Sequence, residues 1–257
     1  MQFCALASGS SGNCFYIEKG DNAILIDCGI SSKQIVERLT LLKKSPERVK
    51  AIFVTHEHGD HTKGVDVFAS RFKVPIYATK RTVMSRFLCR DESLIHTIKN
   101  KESLKVNGLR IEAFPKSHDA ADPVSYLIEA DKKRVSTITD VGYGCKNVIE
   151  HIALSDGLVL ESNHDQKMLK YGPYPDYLKK WVASDVGHLS NSQAALLVLE
   201  HAKTCLKELV LGHLSENNNT EEKALQTMRG MIKNRKDLNN TTIRISGRYR
   251  PTEMITI

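Results

Sequence analysis

No uncharged apolar run in this chain of 257 residues approaches the roughly 20 residues that a helix needs to cross a bilayer, which argues against a membrane span. The opening, Met1-Gln-Phe-Cys-Ala-Leu-Ala-Ser8, has neither a basic n-region nor a long apolar h-region, so no secretory signal is expected. Six cysteines, Cys4, Cys14, Cys28, Cys89, Cys145 and Cys205, are scattered without one C-x-x-C pair. In a chain of this length they read as reduced core thiols of a cytoplasmic protein and not as a disulfide framework. No linker, low-complexity stretch or fixed-period repeat interrupts the chain, so a solenoid is excluded and one domain over residues 1–257 is expected. The Ser/Gly segment Ala7-Ser-Gly-Ser-Ser-Gly-Asn-Cys14 lacks the Gly-Lys-Ser/Thr ending of a P-loop and reads as a tight turn between two strands.

What is present is an ordinary globular composition, 41% hydrophobic and 26% charged, with enough chain for a full core. The formal net charge of +7 favours a polyanionic partner, nucleic acid first among them. The most informative stretch is Thr55-His-Glu-His-Gly-Asp-His61, entered from the apolar run Ala51-Ile-Phe-Val54. On an extended segment residues two apart project to one side, so His56 and His58 aim together. Gly59 permits a turn that returns Asp60 and His61 to the same point. Imidazole and carboxylate suit a borderline divalent cation, and structural zinc sites are usually closed and rich in cysteine. Four ligands exceed what one open site usually takes from a single loop, so two metals are expected.

The chain alternates short β-rich runs with helical stretches. Strands are expected at Phe3–Ala7, Cys14–Ile17, Ala23–Asp27, Val49–Thr55, Pro75–Ala78, Leu109–Phe114, Val124–Ala130, Arg134–Thr139, Leu158–Glu161, Leu209–Leu211 and Thr241–Ile245. Helices are expected at Ser31–Leu42, after His61, at Arg81–Leu88 and Asn147–Leu154, in segments up to Lys203, and at Thr220–Asn234. Strand-rich stretches with helices between them fit two facing sheets with helices outside. The two halves run through strands and helices in a similar order. Six of the ten histidines fall in short polar segments at strand ends, where a site at one edge of a sheet sandwich would need them. His118 follows the strand ending near Phe114, Asp140 follows Thr139, and His213 follows Leu211.

The order of Asp27 in Leu25-Ile-Asp-Cys-Gly29, the His56 to His61 cluster, His118, Asp140 and His213 resembles the metallo-β-lactamase superfamily over essentially the whole chain. The resemblance implies an α/β fold, an αββα sandwich of two mixed β-sheets flanked by helices, with a dinuclear site at one edge. It implies that His56, His58 and His118 hold one metal, that Asp60, His61 and His213 hold the other, and that Asp140 bridges them. Zinc or manganese would suit those donors, with iron a further option. Asp27 would stand behind the ligands and fix the motif loop. Read from its residues alone, it is equally a turn-forming Asp beside Gly29.

Leu160-Glu-Ser-Asn-His-Asp165 and Gly187-His-Leu-Ser-Asn191 resemble the phosphodiesterase branch, in which a Glu orients a His that is not a metal ligand. Carried over, Glu161 orients His188, and Asp60, His188 and Glu161 form the catalytic set. With Ala7–Cys14 and His213-Leu-Ser-Glu-Asn-Asn218, these segments are similar to the YycJ/WalJ/VicX group, which is described as cytosolic bacterial 5′-to-3′ DNA exonucleases. The chemistry is coherent: two metals about 3.5–4 Å apart supply charge neutralisation and a bridging hydroxide as nucleophile. A positioned His188 then acts as general acid. His188 also reads as a helix-entry residue with Ser190 as the cap. Ser215 and Asn217 to Asn219 could cap the next helix and present backbone N–H groups to a phosphate, with Ser215 and Asn217 as candidate substrate contacts, and capping alone would explain them equally well. The short span from Glu161 to His188 leaves no room for a β-CASP insertion. Lys167 to Trp181, rich in Tyr and Lys, either tracks a single strand or packs its aromatics on the core. A thioester or lactone hydrolase on the same scaffold, which needs no Glu161–His188 pair, is the rival reading. A non-catalytic nucleic-acid-binding regulatory protein is the other alternative.

Overall fold

Period-two alternation sorts the strand residues into two apolar faces. In β2 (Cys14–Lys19), Phe15 and Ile17 join one buried cluster while Cys14 and Tyr16 join another. In β3 (Asn22–Ile26), Ile24 and Ile26 part from Ala23 and Leu25 in the same way. A sheet that is apolar on both faces must be covered on both. In the computed structural model, which describes residues 1–257, two sheets cover each other and helices cover their outer faces. The expected αββα sandwich is what these residues build.

The first sheet runs in the order β14 (Ile255–Thr256), β1 (Gln2–Ala7), β2, β3, β4 (Val49–Phe53), β5 (Ile76–Ala78) and β6 (Ile95–Thr97). The second runs β13 (Thr242–Ile245), β12 (Glu208–Gly212), β11 (Gly157–Glu161), β10 (Lys133–Ile138), β9 (Val124–Ala130), β8 (Leu109–Pro115) and β7 (Ser103–Val106). Phe15, Ile26, Phe53, Tyr126, Val159 and Val210 fill the space between the sheets. Outside the first sheet pack α1 (Ser32–Leu41) and α3 (Val65–Phe72), through Ile35, Leu39, Val65 and Phe68, with the short α2 (Gly59–Thr62) and α4 (Lys80–Ser85) nearby. Outside the second pack α5 (Lys146–Leu154), α8 (Asn191–His201) and α9 (Glu221–Ile232), through Ile152, Val198 and Met228. Between β11 and α8 lie α6 (Gln166–Tyr171) and α7 (Asp176–Val182).

The similar order of the two halves is a matter of topology. In the first, β1, β2 and β3 pair antiparallel, and β3, β4, β5 and β6 pair parallel. In the second, β7 to β10 pair antiparallel and β10 to β13 pair parallel. The carboxyl ends of a parallel set lie on one edge, where open α/β sheets place their ligands. Asp27, His56 to His61, Asp140, Glu161 and His213 all stand at or just beyond such ends.

Three differences from the expected elements have local causes. β4 stops at Phe53, not Thr55, because the Thr55 N–H leaves the ladder and donates to Asp27 Oδ1 at 2.8 Å. The strands β6, β7 and β14 lie outside the expected set: each has two to four residues, and the exposed Ser103 and Lys105 of β7 mask any apolar pattern, as is usual at sheet edges. The cap of α9 is Thr220, whose side chain accepts from the Lys223 N–H, so neither Ser215 nor Asn217 caps that helix.

Candidate metal centre

Asp27, Asp140 and His213, which lie one or two residues beyond the ends of β3, β10 and β12, have φ of 59°, 57° and 53°, a left-handed conformation that non-glycine residues adopt infrequently. All three lie at the site, where such backbone strain tends to concentrate. The turn carries each side chain off its ladder and into the sheet edge. Gly29 serves the same end by close approach: a Cβ there would meet the Asp60 carbonyl oxygen at 1.6 Å. The missing side chain lets the Asp27 turn pack directly under the histidine loop.

His56, His61, His118 and His213 share one arrangement, with one ring nitrogen tied to the protein and the other turned inward. His61 Nδ1 donates to Asp27 Oδ2 at 2.7 Å, and its Nε2 lies 3.1 Å from Asp140 Oδ2 and 3.5 Å from Asp60 Oδ2. The Thr55 hydroxyl donates to Asp27 Oδ2 at 2.9 Å and accepts from His56 Nδ1 at 2.9 Å. His56 Nε2 is then 3.1 Å from His58 Nδ1, so these two rings converge although they lie in a loop and not in a strand. His118 Nδ1 donates to the Gly187 carbonyl at 3.2 Å, leaving a buried Nε2 without a protein partner. His213 Nδ1 donates to Glu161 Oε1 at 2.9 Å, and its Nε2 is 3.9 Å from Asp60 Oδ2. Holding the far nitrogen of a ligating imidazole is the usual way proteins orient a metal ligand.

Three overlapping groups emerge from this convergence. His56, His58 and His118 can present nitrogens within 4.8 Å of one another, and so can His56, His61 and Asp140 with their N and O atoms. Asp140, Glu161, His188 and His213 satisfy the same distance. In that last group Glu161 is already committed. Its two oxygens accept from the Asp140, Val141 and Leu189 N–H groups at 3.1, 2.9 and 3.0 Å, and from His188 and His213 Nδ1 at 2.9 Å each. Asp60, half-buried and facing both His61 and His213, is the better donor on that side. The donors fit divalent cations: imidazole nitrogen and carboxylate oxygen converge, and His118 Nε2 is buried with no hydrogen-bond partner.

Protonation agrees with that fit. Burial holds the His56 imidazole well below its ordinary value, and pushes His118 down to about 3 despite Asp140, so both offer lone pairs at neutral pH. Burial works against charge on His61 too, yet Asp140, Asp27 and Asp60 outweigh it and hold the ring protonated, a proton that a bound cation would displace. Burial likewise opposes ionisation of Asp140, and His213 and His61 keep its carboxyl ionised.

The site opens into a cleft of about 250 Å³ lined on one side by these groups and on the other by Tyr174, Leu178, Trp181 and Val182 of the α6–α7 hairpin. His188, with its ring 5.1 Å from His213 and 5.3 Å from His118, stands at the cleft wall. Ser190 does cap α8, as the helix-entry reading requires, and that leaves the His188 bond to Glu161 intact. Ser215 lines the cleft, whereas Asn217 lies outside its lining on an exposed turn, 3.5 Å from the Tyr174 hydroxyl. Asn13 joins the site without having stood out in the sequence. Its Nδ2 is 3.1 Å from His61 Nε2 and 3.5 Å from Asp60 Oδ2, so the Ser/Gly loop reaches the centre as well as turning the chain. A lone Asn after Gly carries no spacing signal that would single it out.

An αββα sandwich with histidines and carboxylates gathered at the strand ends is the architecture of a metallo-hydrolase. Residues 22–214 match the β-lactamase superfamily domain, and the chain belongs to that superfamily, in its metallo-β-lactamase branch. It is 37% identical over 232 residues to exodeoxyribonuclease WalJ of Streptococcus pneumoniae, spanning 88% of this chain and 86% of that one. Identity to exodeoxyribonuclease YycJ of Bacillus anthracis is 34% over 229 residues, covering 87% and 86%. Among solved structures, the metallo-β-lactamase fold protein YhfI of Bacillus subtilis superposes with a TM-score of 0.72 at 15% identity over 98% of each chain, a likeness of fold alone.

Proposed function

We propose that this protein is a dinuclear metal-dependent phosphodiesterase that degrades DNA from its ends, in the 5′-to-3′ sense that the family resemblance implies. The observation that carries this reading is the Glu161 carboxylate. It bonds both His213 and His188, and so sets beside the metal donors an imidazole that is free for substrate. An acyl hydrolase would have no use for that second imidazole. The names of the relatives and the net charge of +7 point the same way.

His56, His58 and His118 would hold one ion and Asp60, His61 and His213 the other, with Asp140 between them; zinc or manganese suits these donors, and iron is a third candidate. Such ions supply, when bound, an activated water at neutral pH and charge neutralisation on the phosphoryl oxygens. The other half of the chemistry belongs to the chain. Burial opposes ionisation of Glu161, but His188 and His213 hold its carboxyl well below the usual range, so it stays a carboxylate. In return Glu161 more than offsets the effect of burial on His188, and raises the affinity of that ring for a proton. With Nδ1 engaged by Glu161, Nε2 is the atom left to donate to the leaving oxygen. Asp27 acts at one remove, by fixing His61 and Thr55. Ser215 remains the candidate substrate contact, and Asn217 drops out of the first rank.

We read the chain as one domain over residues 1–257 without a β-CASP insertion, since only α6 and α7 lie between Glu161 and His188. No helix is long and apolar enough to cross a membrane. The six unpaired cysteines support a cytoplasmic location. The test is cleavage of end-labelled single- and double-stranded DNA and RNA before and after metal exchange. EDTA should abolish cleavage and Mn²⁺ or Zn²⁺ restore it, with DNA shortened from one end. Cleavage indifferent to chelation, or RNA degraded in preference to DNA, overturns the reading.

A further inference from the structure

Behind α7, on the side away from the metal centre, lies a second cavity of about 460 Å³. Helix α7 divides the two spaces. Leu178, Trp181 and Val182 face the catalytic cleft, whereas Lys179 and Lys180 line the cavity with Lys170 of α6. Asp176 is the one carboxylate on its wall, so cationic groups outnumber it. Lys179 is half-buried, and its Nζ is held by the Lys170 carbonyl at 3.1 Å. The cavity also takes in His164, which is 2% exposed and whose Nδ1 is buried with no hydrogen-bond partner. Unpaired buried polar atoms are uncommon and call for an explanation. On the crest beside the cavity, Tyr171 and Tyr177 are 77% and 76% exposed, so the hairpin does not pack these rings on the core. Lys170 Nζ sits 5.3 Å from the centre of the Tyr171 ring. Exposed rings interleaved with lysines are the composition that binds single strands by stacking and by pairing charge with the backbone.

We propose that the lysine cavity behind α7 is a phosphate subsite, which grips the backbone of single-stranded DNA after the strand has crossed the hairpin from the catalytic cleft. This rests on the nuclease reading and extends it from the reacting phosphate to one further along the strand. A helix is about 10–12 Å across with its side chains, so the two phosphates belong to different nucleotides of one chain. Lys170 and Lys180 supply charge to the backbone, and Tyr171 offers a face to a base.

The test measures binding of a short phosphorothioate oligothymidylate to the metal-loaded protein by fluorescence anisotropy over a range of salt concentrations. Thermal unfolding checks that each variant is folded. Lys170→Gln combined with Lys180→Gln should weaken binding on the order of tenfold at low salt and reduce the slope of log K against log salt by about 0.7 for each phosphate no longer neutralised. Tyr171→Ala should weaken binding with the slope unchanged, separating stacking from charge. Folded lysine variants with wild-type affinity and slope overturn the subsite alone. Wild-type protein that hydrolyses bis-p-nitrophenyl phosphate yet binds no oligonucleotide overturns both the subsite and the nuclease reading.

Discussion

Replacing Glu161 by Gln removes a charge and swaps one acceptor oxygen for an NH2 donor, with almost no change of shape. Glu161 is fully buried, and every group around it is a donor. One oxygen serves the Asp140 N–H and the two imidazoles; the other serves the Val141 and Leu189 N–H groups. The amide can keep only one of these sets. Turned to spare the imidazoles, it orphans two buried N–H groups at about 1–3 kcal/mol each, hence about 2–6 kcal/mol. That is a large share of a typical stability of about 5–15 kcal/mol. Turned the other way, it spares those amides but frees His188 and His213 and leaves the Asp140 N–H unpaired. Urea unfolding should therefore register a loss of several kcal/mol, metal analysis a lower content on the His213 side, and cleavage of DNA a fall of about 10²–10⁴-fold from loss of the general acid. Wild-type stability together with wild-type cleavage in Glu161→Gln would refute the picture of Glu161 as the shared anchor of His188 and His213.

His188→Ala should leave metal content unchanged and lower DNA cleavage by about 10²–10⁴-fold. The deficit should be smaller on bis-p-nitrophenyl phosphate, whose phenolate leaves with less help, and undiminished DNA cleavage would exclude His188 as the acid. Asp27→Asn removes the carboxylate that holds His61 Nδ1 and the Thr55 N–H, and should weaken metal affinity about 10–100-fold, as read by competition with a chelating dye. Unchanged affinity would return Asp27 to a plain turn residue. Stability should also depend on pH through His164, whose imidazole burial lowers from 6.5 to about 4. Between those values the unfolded chain binds a proton that the folded one does not, so stability falls as the pH drops through that window. The slope contributed is at most about 1.4 kcal/mol per pH unit, and His164→Gln should flatten the denaturation profile by that amount. Parallel profiles for the two proteins would show that His164 is not the titrating group.

What the sequence determined by itself is the chemistry and its scaffold. Short continuous apolar runs such as Cys14–Ile17 and Leu158–Leu160 mark strands, of the kind that both faces of a sheet bury, and His56, His58, Asp60 and His61 advertise metal by density alone. Residues distant along the chain became legible through their order, as with His118, Asp140 and His213 at strand ends. The hairpin Lys167 to Trp181 stayed ambiguous because composition cannot say which way a ring points; folded, Trp181 faces the cleft while Tyr171 and Tyr177 face outward. The short edge strands β6, β7 and β14 were illegible because their pairing is a property of neighbours. Only the tertiary structure decided that Glu161 serves His213 as well as His188, that Asn13 reaches His61, and that Asn217 stands apart from the cleft. Each of these is a distance between residues from different elements. Hydrogen bonds that cross from one strand end to another leave no period or spacing in the chain.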